Sequence, residues 1–583
     1  MKPFPHLLRR TLAMLCASSM TLVMIGCDTP AADTTDTAQT TAGTAVQTDA
    51  ATEAVTLSPE EQAALAMYSD PDWAKDNWII DIDPDWPHIY VDPTSPQTAE
   101  ATMDDYFSYI FNTGVTDIVL CPYEQSSLVP TTSDAITWRY DKLNWTEEGG
   151  HPVNYDQFDQ FGNGYTFNKY YDLFTKENTD IYAMAYEKVR EAGIRPWLSF
   201  RMNDRHDETA NTSYLRSAFH YEAKENGYML GEAYKEYEYS SCLDYSEERV
   251  RQVMLDYLRE MILRYDVFGV QLDFARNIAC FDYLNDTDYA KYMTQFVRDI
   301  AAAVTEAEAK FGHDIKLMLR LGRSIEHNLV YGFDVGAFEN ENLVDGYVLS
   351  PEYSTDDGIP VKEWREVVGE ETALFCGFEY QISRVHTTEI LTTRDYIKGY
   401  TAGYFDQGAN GMYFNNFYQW GSQGPSIWSL TREDLTTGPR RYKVNYQDLV
   451  PIGHTGYDPL PMPLSADGTS ITVNMGTIRP QETLTMLVML EKEAIEAAEA
   501  GGLQSLPDVT VNGVAAASVR LGDQKGGDSF FDGVTAPNLA RAKKTQIVVY
   551  TFEGIDTTGE LKVDFAVGHN DLGNINHMEF MVQ

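Results

Sequence analysis

The stretch "YSEERVRQVMLDYLREMILRYDVFGVQLDFARNIACF", residues 245–281, carries two periodicities in succession. In its first half Val250, Val253, Met254, Tyr257, Leu258 and Met261 recur every three or four residues, which places them on one face of a helix. Asp244 and Glu247, just ahead, have the spacing of a capping box. In the second half Val270, Leu272 and Phe274 alternate with Gln271 and Asp273, the pattern of a buried strand. Arg276 and Asn277 follow before any helix begins. A helix running straight into a buried strand is half of a βαβ unit, the building block of parallel sheets. The strand delivers an aspartate to its end and an arginine just beyond, and the rest of the chain must say why.

The same unit recurs on both sides. Strand-like segments are "HIYVD" (88–92), "TDIVLCPY" (116–123), "RPWLSFRMND" (195–204), "FGVQLDFAR" (268–276), "KLMLRLGRS" (316–324), "VDGYVLSPEY" (344–353), "ALFCGFEY" (373–380) and "NGMYFNNF" (410–417). For the first of them "WIIDID" (78–83) is the competitor. After the fourth, "TDYAKYMTQFVRDIAAAVTEAEAKFG" (287–312) reads as a helix ended by Gly312. Eight βα units without a GxGxxG fingerprint predict a (β/α)8 TIM barrel over 58–458 rather than a doubly wound open sheet. Gln125–Thr179 is a long second βα loop, of the kind that shapes the face of such a barrel. From about Pro459 the pattern changes to short alternating runs such as "TSITVNMG", "LTMLVML", "TQIVVYTF" and "LKVDFAV", which predicts an antiparallel β-sandwich over 459–583. "KEAIEAAEAGG" (492–502) is a helical insertion, and bracing the barrel is favoured over sugar binding as the role of this domain.

With 44 basic against 88 acidic residues the net charge is −44, which repels nucleic acid and anionic lipid. Residues 1–26 have a basic start and a short apolar run, the form of an export signal. Their end, "MIGC", resembles the lipobox of bacterial lipoproteins, with Met24 where leucine is usual and Cys27 as the lipidated residue. Residues 27–57, nearly all Thr, Ala and Asp, read as a disordered tether. The expected location is the bacterial cell envelope, with the membrane reached only through that lipid. Cys121 and Cys376 fall in apolar strands as core residues, whereas Cys242 and Cys280 lie in loop-like sequence where a disulfide is one option. No CxxC, HExxH or comparable cluster is present, and neither a cofactor nor a metal is expected.

Active sites of such barrels lie at the carboxyl ends of the strands. The third strand brings Arg201, Asn203 and Asp204, with His206 beyond. The fourth brings Asp273 and Arg276, and the fifth Arg320 and Arg323. The sixth ends in Glu352 and Tyr353, the seventh in Glu379 and Tyr380, and the eighth in Asn415 and Asn416, with Trp420 following. Two carboxylates across one pocket are what glycoside hydrolysis requires, one to protonate the leaving oxygen and one to meet the oxocarbenium-like centre. Asp273 and Glu379, on strands four and seven, are the expected pair, with Asp273 as acid/base, Glu379 as nucleophile and Glu352 as the reserve for either role. A rim salt bridge between Asp273 and Arg276 is the purely structural reading. Trp197, Tyr353, Tyr380 and Trp420 are candidates for stacking on sugar rings.

"CLDYSEERVRQVMLDYLREMILRYDVFGVQLDFAR" (242–276) and "GIRPWLSFRMND" (193–204) are similar to the family-10-like glycosyl hydrolase group. In that group a tyrosine and an aspartate, here Tyr265 and Asp266, precede a strand that an aspartate closes, here Asp273. Phe274 stands where the group usually carries a second acid. The resemblance implies a barrel with glycosidase activity on a carbohydrate substrate. Three alternatives remain open at this level. One is a non-catalytic glycan-binding lipoprotein. A second is an enzyme for uronate or sulfated glycans gripped by Arg201, Arg276 and Arg320. The third is a metal-dependent hydrolase using Asp204 and His206.

Overall fold

In the computed structural model, the residues described are 66–82, 98–140, 171–205, 216–350, 355, 357–379, 381–382, 390–415, 427, 429–444, 450–454, 459–522, 544–569 and 572–583. Eight parallel strands close into a barrel: β1 (Asn77–Ile82), β2 (Asp117–Leu120), β3 (Arg195–Arg201), β4 (Gly269–Asp273), β5 (Lys316–Leu321), β6 (Gly346–Leu349), β7 (Ala373–Glu379) and β8 (Gly411–Asn415). Each pairs with its neighbour in sequence, and β8 pairs back onto β1. The expected TIM barrel is therefore present, with one correction. Its first strand is the "NWIIDI" segment, while "HIYVD" lies outside the described residues. Both faces of β1 are buried, so hydrophobic alternation could not single it out.

The helix at 245–264 forms as α1 (Glu248–Arg264), and all six residues of its anticipated face are buried. Each large one contributes about 1.5–3 kcal/mol by leaving water. The capping box does not form. Asp244 instead accepts from Ser246 N–H at 2.8 Å, and the N-cap is Glu247, whose side chain caps nothing. The next helix, α2 (Ala290–Phe311), ends at Gly312 with φ of 82°, in the left-handed region where glycine is the residue of choice. Val270, Leu272 and Phe274 join the core cluster that also contains the buried residues of α1 and α2. Their partners in the alternation, Gly269, Gln271 and Asp273, therefore line the barrel lumen. At Gly269 a Cβ would overlap the Trp197 ring.

The C-terminal residues form two antiparallel sheets. One contains β9 (Arg440–Lys443), β11 (Thr483–Glu491), β13 (Ser518–Leu521), β14 (Thr545–Glu553) and β16 (Asn574–Val582). The other contains β10 (Thr469–Asn474), β12 (Asp508–Val511) and β15 (Glu560–Ala566). The helical insertion is present as Lys492–Ala500. The sandwich packs on the barrel through the helix Arg394–Asp406. There Gly399 and Gly403 meet the backbone carbonyls of Arg441 and Asn474 so closely that a Cβ on either would overlap them. Tyr396 of that helix donates to the fully buried Glu579. Lys443 is buried beside Glu579 and Asp357, and burial pulls its ammonium down to about 8 against their attraction.

All four described cysteines are buried thiols, so the disulfide between Cys242 and Cys280 is absent. Cys280 accepts from Asn203 Nδ2 at 3.7 Å. Cys376 and Cys121 are core residues as expected.

Candidate active site

The lumen of the barrel is layered. Its lower part holds Ile79, Val119, Trp197, Phe268, Met318 and Phe375 in one apolar cluster. Trp197 is fully buried there and donates its indole N–H to Asp117 at 2.9 Å, so it is not a sugar platform. It sits near the start of β3, and only strand ends reach the active face. A polar layer lies above, where Ser199 and Tyr413 both donate to Gln271 Oε1, at 2.8 and 3.1 Å.

The uppermost layer is ionic, and strand register assembles it. Arg201, Asp273 and Arg320 are successive partners on β3, β4 and β5. Asp81, Asn415 and Glu379 are successive partners on β1, β8 and β7. Arg320 spans the two arcs. Its Nη1 lies 3.0 Å from Asp273 Oδ2 and 3.9 Å from Asp81 Oδ2. Its Nη2 lies 3.3 Å from Glu379 Oε1 and 3.0 Å from Ser350 Oγ. Asn415 Nδ2 donates to Glu379 Oε1 at 2.6 Å. The guanidinium is buried, which opposes its charge, but Asp273, Tyr413, Glu379 and Asp81 hold it above its ordinary value. One guanidinium touching both Asp273 and Glu379 limits how far apart they can lie, as the acid pair of a glycosidase requires.

The other expected residues divide. Arg201 is buried against Glu124 Oε1 at 3.2 Å and Asp204 Oδ2 at 3.5 Å, which commits both Arg201 and Asp204 to protein partners. Glu124 also binds Arg139 at 3.1 Å. Asn203 is a strut. Its Nδ2 donates to Ala279 and Leu243 carbonyls at 2.7 and 3.2 Å, and its Oδ1 accepts from Leu243 N–H at 2.7 Å. Arg276 meets Asp273 through its backbone N–H, 3.3 Å from Oδ1, and the ion pair of Asp273 described above is with Arg320. Arg323 lies past the end of β5, where its carbonyl accepts from Trp364 Nε1 at 2.6 Å. His206, Glu352, Tyr353, Tyr380, Asn416, Trp420 and Cys27 lie outside the described residues. With Arg201 and Arg320 both engaged by carboxylates, two of the three arginines expected to grip an acidic sugar are already occupied. Among the described residues no group of three His, Cys, Asp or Glu side chains is arranged to hold a metal ion.

Three participants were missed in the sequence: Asp81, Tyr413 and Ser350. Asp81 is the informative one. Burial pushes its carboxyl up to about 6, opposed by Arg320, with Asp273 adding to the rise and Arg201 and a hydrogen bond to Tyr413 opposing it. Its signal was available. "IIDI" is an apolar strand with an inward aspartate near its end, as is "VQLD".

No family model matches the chain, and no curated protein matches it. Solved structures do resemble it. The glycoside hydrolase domain of PgaB (BpsB) from Bordetella bronchiseptica is 9% identical, with 61% of this chain and 99% of that one covered and a TM-score of 0.37. The endo-β-1,4-mannanase of Thermotoga petrophila is 10% identical over 72% of this chain and 87% of that one, with a TM-score of 0.35. For α-L-fucosidase isoenzyme 2 of Paenibacillus thiaminolyticus the values are 10%, 62% and 0.36, and this chain spans about half the length of that protein, 49%.

Proposed function

We propose that this chain is a glycoside hydrolase acting on an extracellular oligo- or polysaccharide, with Asp273 and Glu379 flanking the scissile bond. The observation that carries this reading is Arg320 binding both carboxylates at the carboxyl ends of β4 and β7. Buried carboxylates converging on one rim suit a reaction that builds positive charge on a sugar ring. Asn415 orients Glu379, and Ser350 accepts from the same Arg320 Nη2 that meets Glu379. The division of labour read from strand order, Asp273 as proton donor and Glu379 as nucleophile, meets one obstacle. Both oxygens of Asp273 already accept hydrogen bonds, Oδ1 from Arg276 N–H and Oδ2 from Arg320.

The test is release of new reducing ends from a panel of extracellular polysaccharides. Glu379→Gln should lower turnover of the responsive glycan by about 10²–10⁴-fold. Equal turnover by the variant would remove Glu379 from the chemistry. Binding without turnover by the wild type would favour the glycan-binding reading. The tether belongs to the same proposal. Cys27→Ser should move the protein from the membrane to the soluble fraction on cell fractionation, and unchanged membrane association would contradict lipidation.

A further inference from the structure

We infer that Asp81, at the carboxyl end of β1, is the carboxyl group that carries the catalytic proton, with Asp273 and Glu379 serving as the charged pair. This inference rests on the glycosidase reading and adds a third acid to it.

The first support is hydrogen bonding. Arginine has only donors, so an oxygen held against it acts as an acceptor. Asp273 Oδ2 lies 3.0 Å and Glu379 Oε1 3.3 Å from Arg320 nitrogens, within hydrogen-bonding distance. Asp81 Oδ2 lies 3.9 Å from the same guanidinium, near enough to feel its charge and too far to bond to it. The second support is position. Strand register places Asp81 beside Asn415, which in turn is beside Glu379, in the arc opposite Asp273. Its side chain is also the most accessible of the three acids, 7% exposed against 2% for Asp273 and 1% for Glu379. The raised affinity of Asp81 for its proton agrees with this arrangement, since it keeps the carboxyl protonated to a higher pH than an ordinary aspartate.

The step balances. The O–H bond of Asp81 breaks as its proton joins the glycosidic oxygen. The bond from that oxygen to the anomeric carbon breaks, its electron pair stays with the departing alcohol, and Asp81 is left as a carboxylate. The charge developing at the anomeric carbon faces Asp273 and Glu379. Water then supplies hydroxyl to that carbon and a proton to Asp81, so the net reaction consumes one water.

The test compares two leaving groups on one sugar. Wild type, Asp81→Asn and Asp273→Asn are assayed as full chains on a panel of 2,4-dinitrophenyl and methyl glycosides of hexoses, N-acetylhexosamines and uronic acids. Dinitrophenolate departs without protonation, whereas methanol does not. Asp81→Asn should lose at least about 10²-fold on the methyl glycoside and less than about 10-fold on its dinitrophenyl partner. Asp273→Asn should lose heavily on both. Because the two rates come from one preparation, any unfolded fraction cancels in their ratio. Equal losses of Asp81→Asn on both substrates, including complete loss on both, would overturn the inference. So would finding the leaving-group dependence in Asp273→Asn instead. No turnover by the wild type on any member of this panel or of the polysaccharide panel above would overturn the glycosidase reading itself.

Discussion

The two ends of the barrel lumen each bury carboxylate and arginine, and they do so in opposite proportions. At the lower end a single acid, Asp117, receives five hydrogen bonds: from Asn77 at 2.9 Å, Thr116 at 2.6 Å, Arg195 at 2.7 and 2.8 Å, and Trp197 at 2.9 Å. At the upper end Arg320 is divided among three acids, and Arg201 beside it is divided between Glu124 and Asp204. The lower arrangement leaves the carboxylate fully satisfied, as a structural ion pair must be when buried. In the upper one acid outnumbers cation, which opposes folding and suits a site where positive charge appears during reaction. Excess charge of one sign, rather than burial alone, separates the end proposed as catalytic from the structural end.

The comparison breaks most sharply under substitution. Asp117→Asn removes the charge facing Arg195 and sets an amide N–H against a ring of donors, so it should destabilise by about 3–5 kcal/mol, as breaking a buried pair does. Asp81→Asn should not destabilise at pH 7, and removal of a buried charge should raise stability. Urea melts of the two variants check both signs.

A pH series sharpens the second. The Asp81 carboxyl stands at about 6 in the folded chain, above its ordinary value of 3.8. Its contribution to stability is therefore complete below about 3.8 and is lost as pH rises through about 6. The loss is on the order of 2–3 kcal/mol. Asp406, pushed up to about 6 by burial, acts with the same sign, so the difference between wild type and Asp81→Asn isolates the barrel acid. The variant should gain relative to wild type between pH 4 and 7, and a constant difference across that range would contradict the account.

The smallest contrast comes from two glycines. Gly269→Ala presses on Trp197 at the lower end, and Gly377→Ala presses on Ser350, which holds Arg320, at the upper end. Each should destabilise by about 1–3 kcal/mol. Only the second should also lower turnover in the folded enzyme, measured below the onset of melting.

Much of this was legible in the sequence, for a reason visible in β4. "VQLD" alternates because Val270 and Leu272 face the helices and Gln271 and Asp273 face the lumen, so the strand and its reactive end are read together. Position along the strand was less legible. Trp197 and Arg201 belong to one strand, but only Arg201 reaches the rim. Asn203, past the strand, ties loops together rather than facing a ligand. The first strand was the costly choice, because "WIIDID" ranked second to "HIYVD". With Ile79 in the lumen cluster and Ile80 and Ile82 in the helix-side core, its pattern lacks the contrast that marks β4, and ranking it second hid Asp81. The convergence of three acids on Arg320 depends on register between strands far apart in the chain, which a single sequence does not display.

The claim that the upper layer is chemistry rather than scaffold is tested most directly by Asp273→Asn, with turnover and melting temperature read on the same preparation. The account predicts that hydrolysis of a responsive glycan falls by at least about 10²-fold while the melting temperature holds or rises. Turnover equal to wild type, together with a melting temperature lowered as for Asp117→Asn, would make Asp273 a structural partner of Arg320 and contradict it.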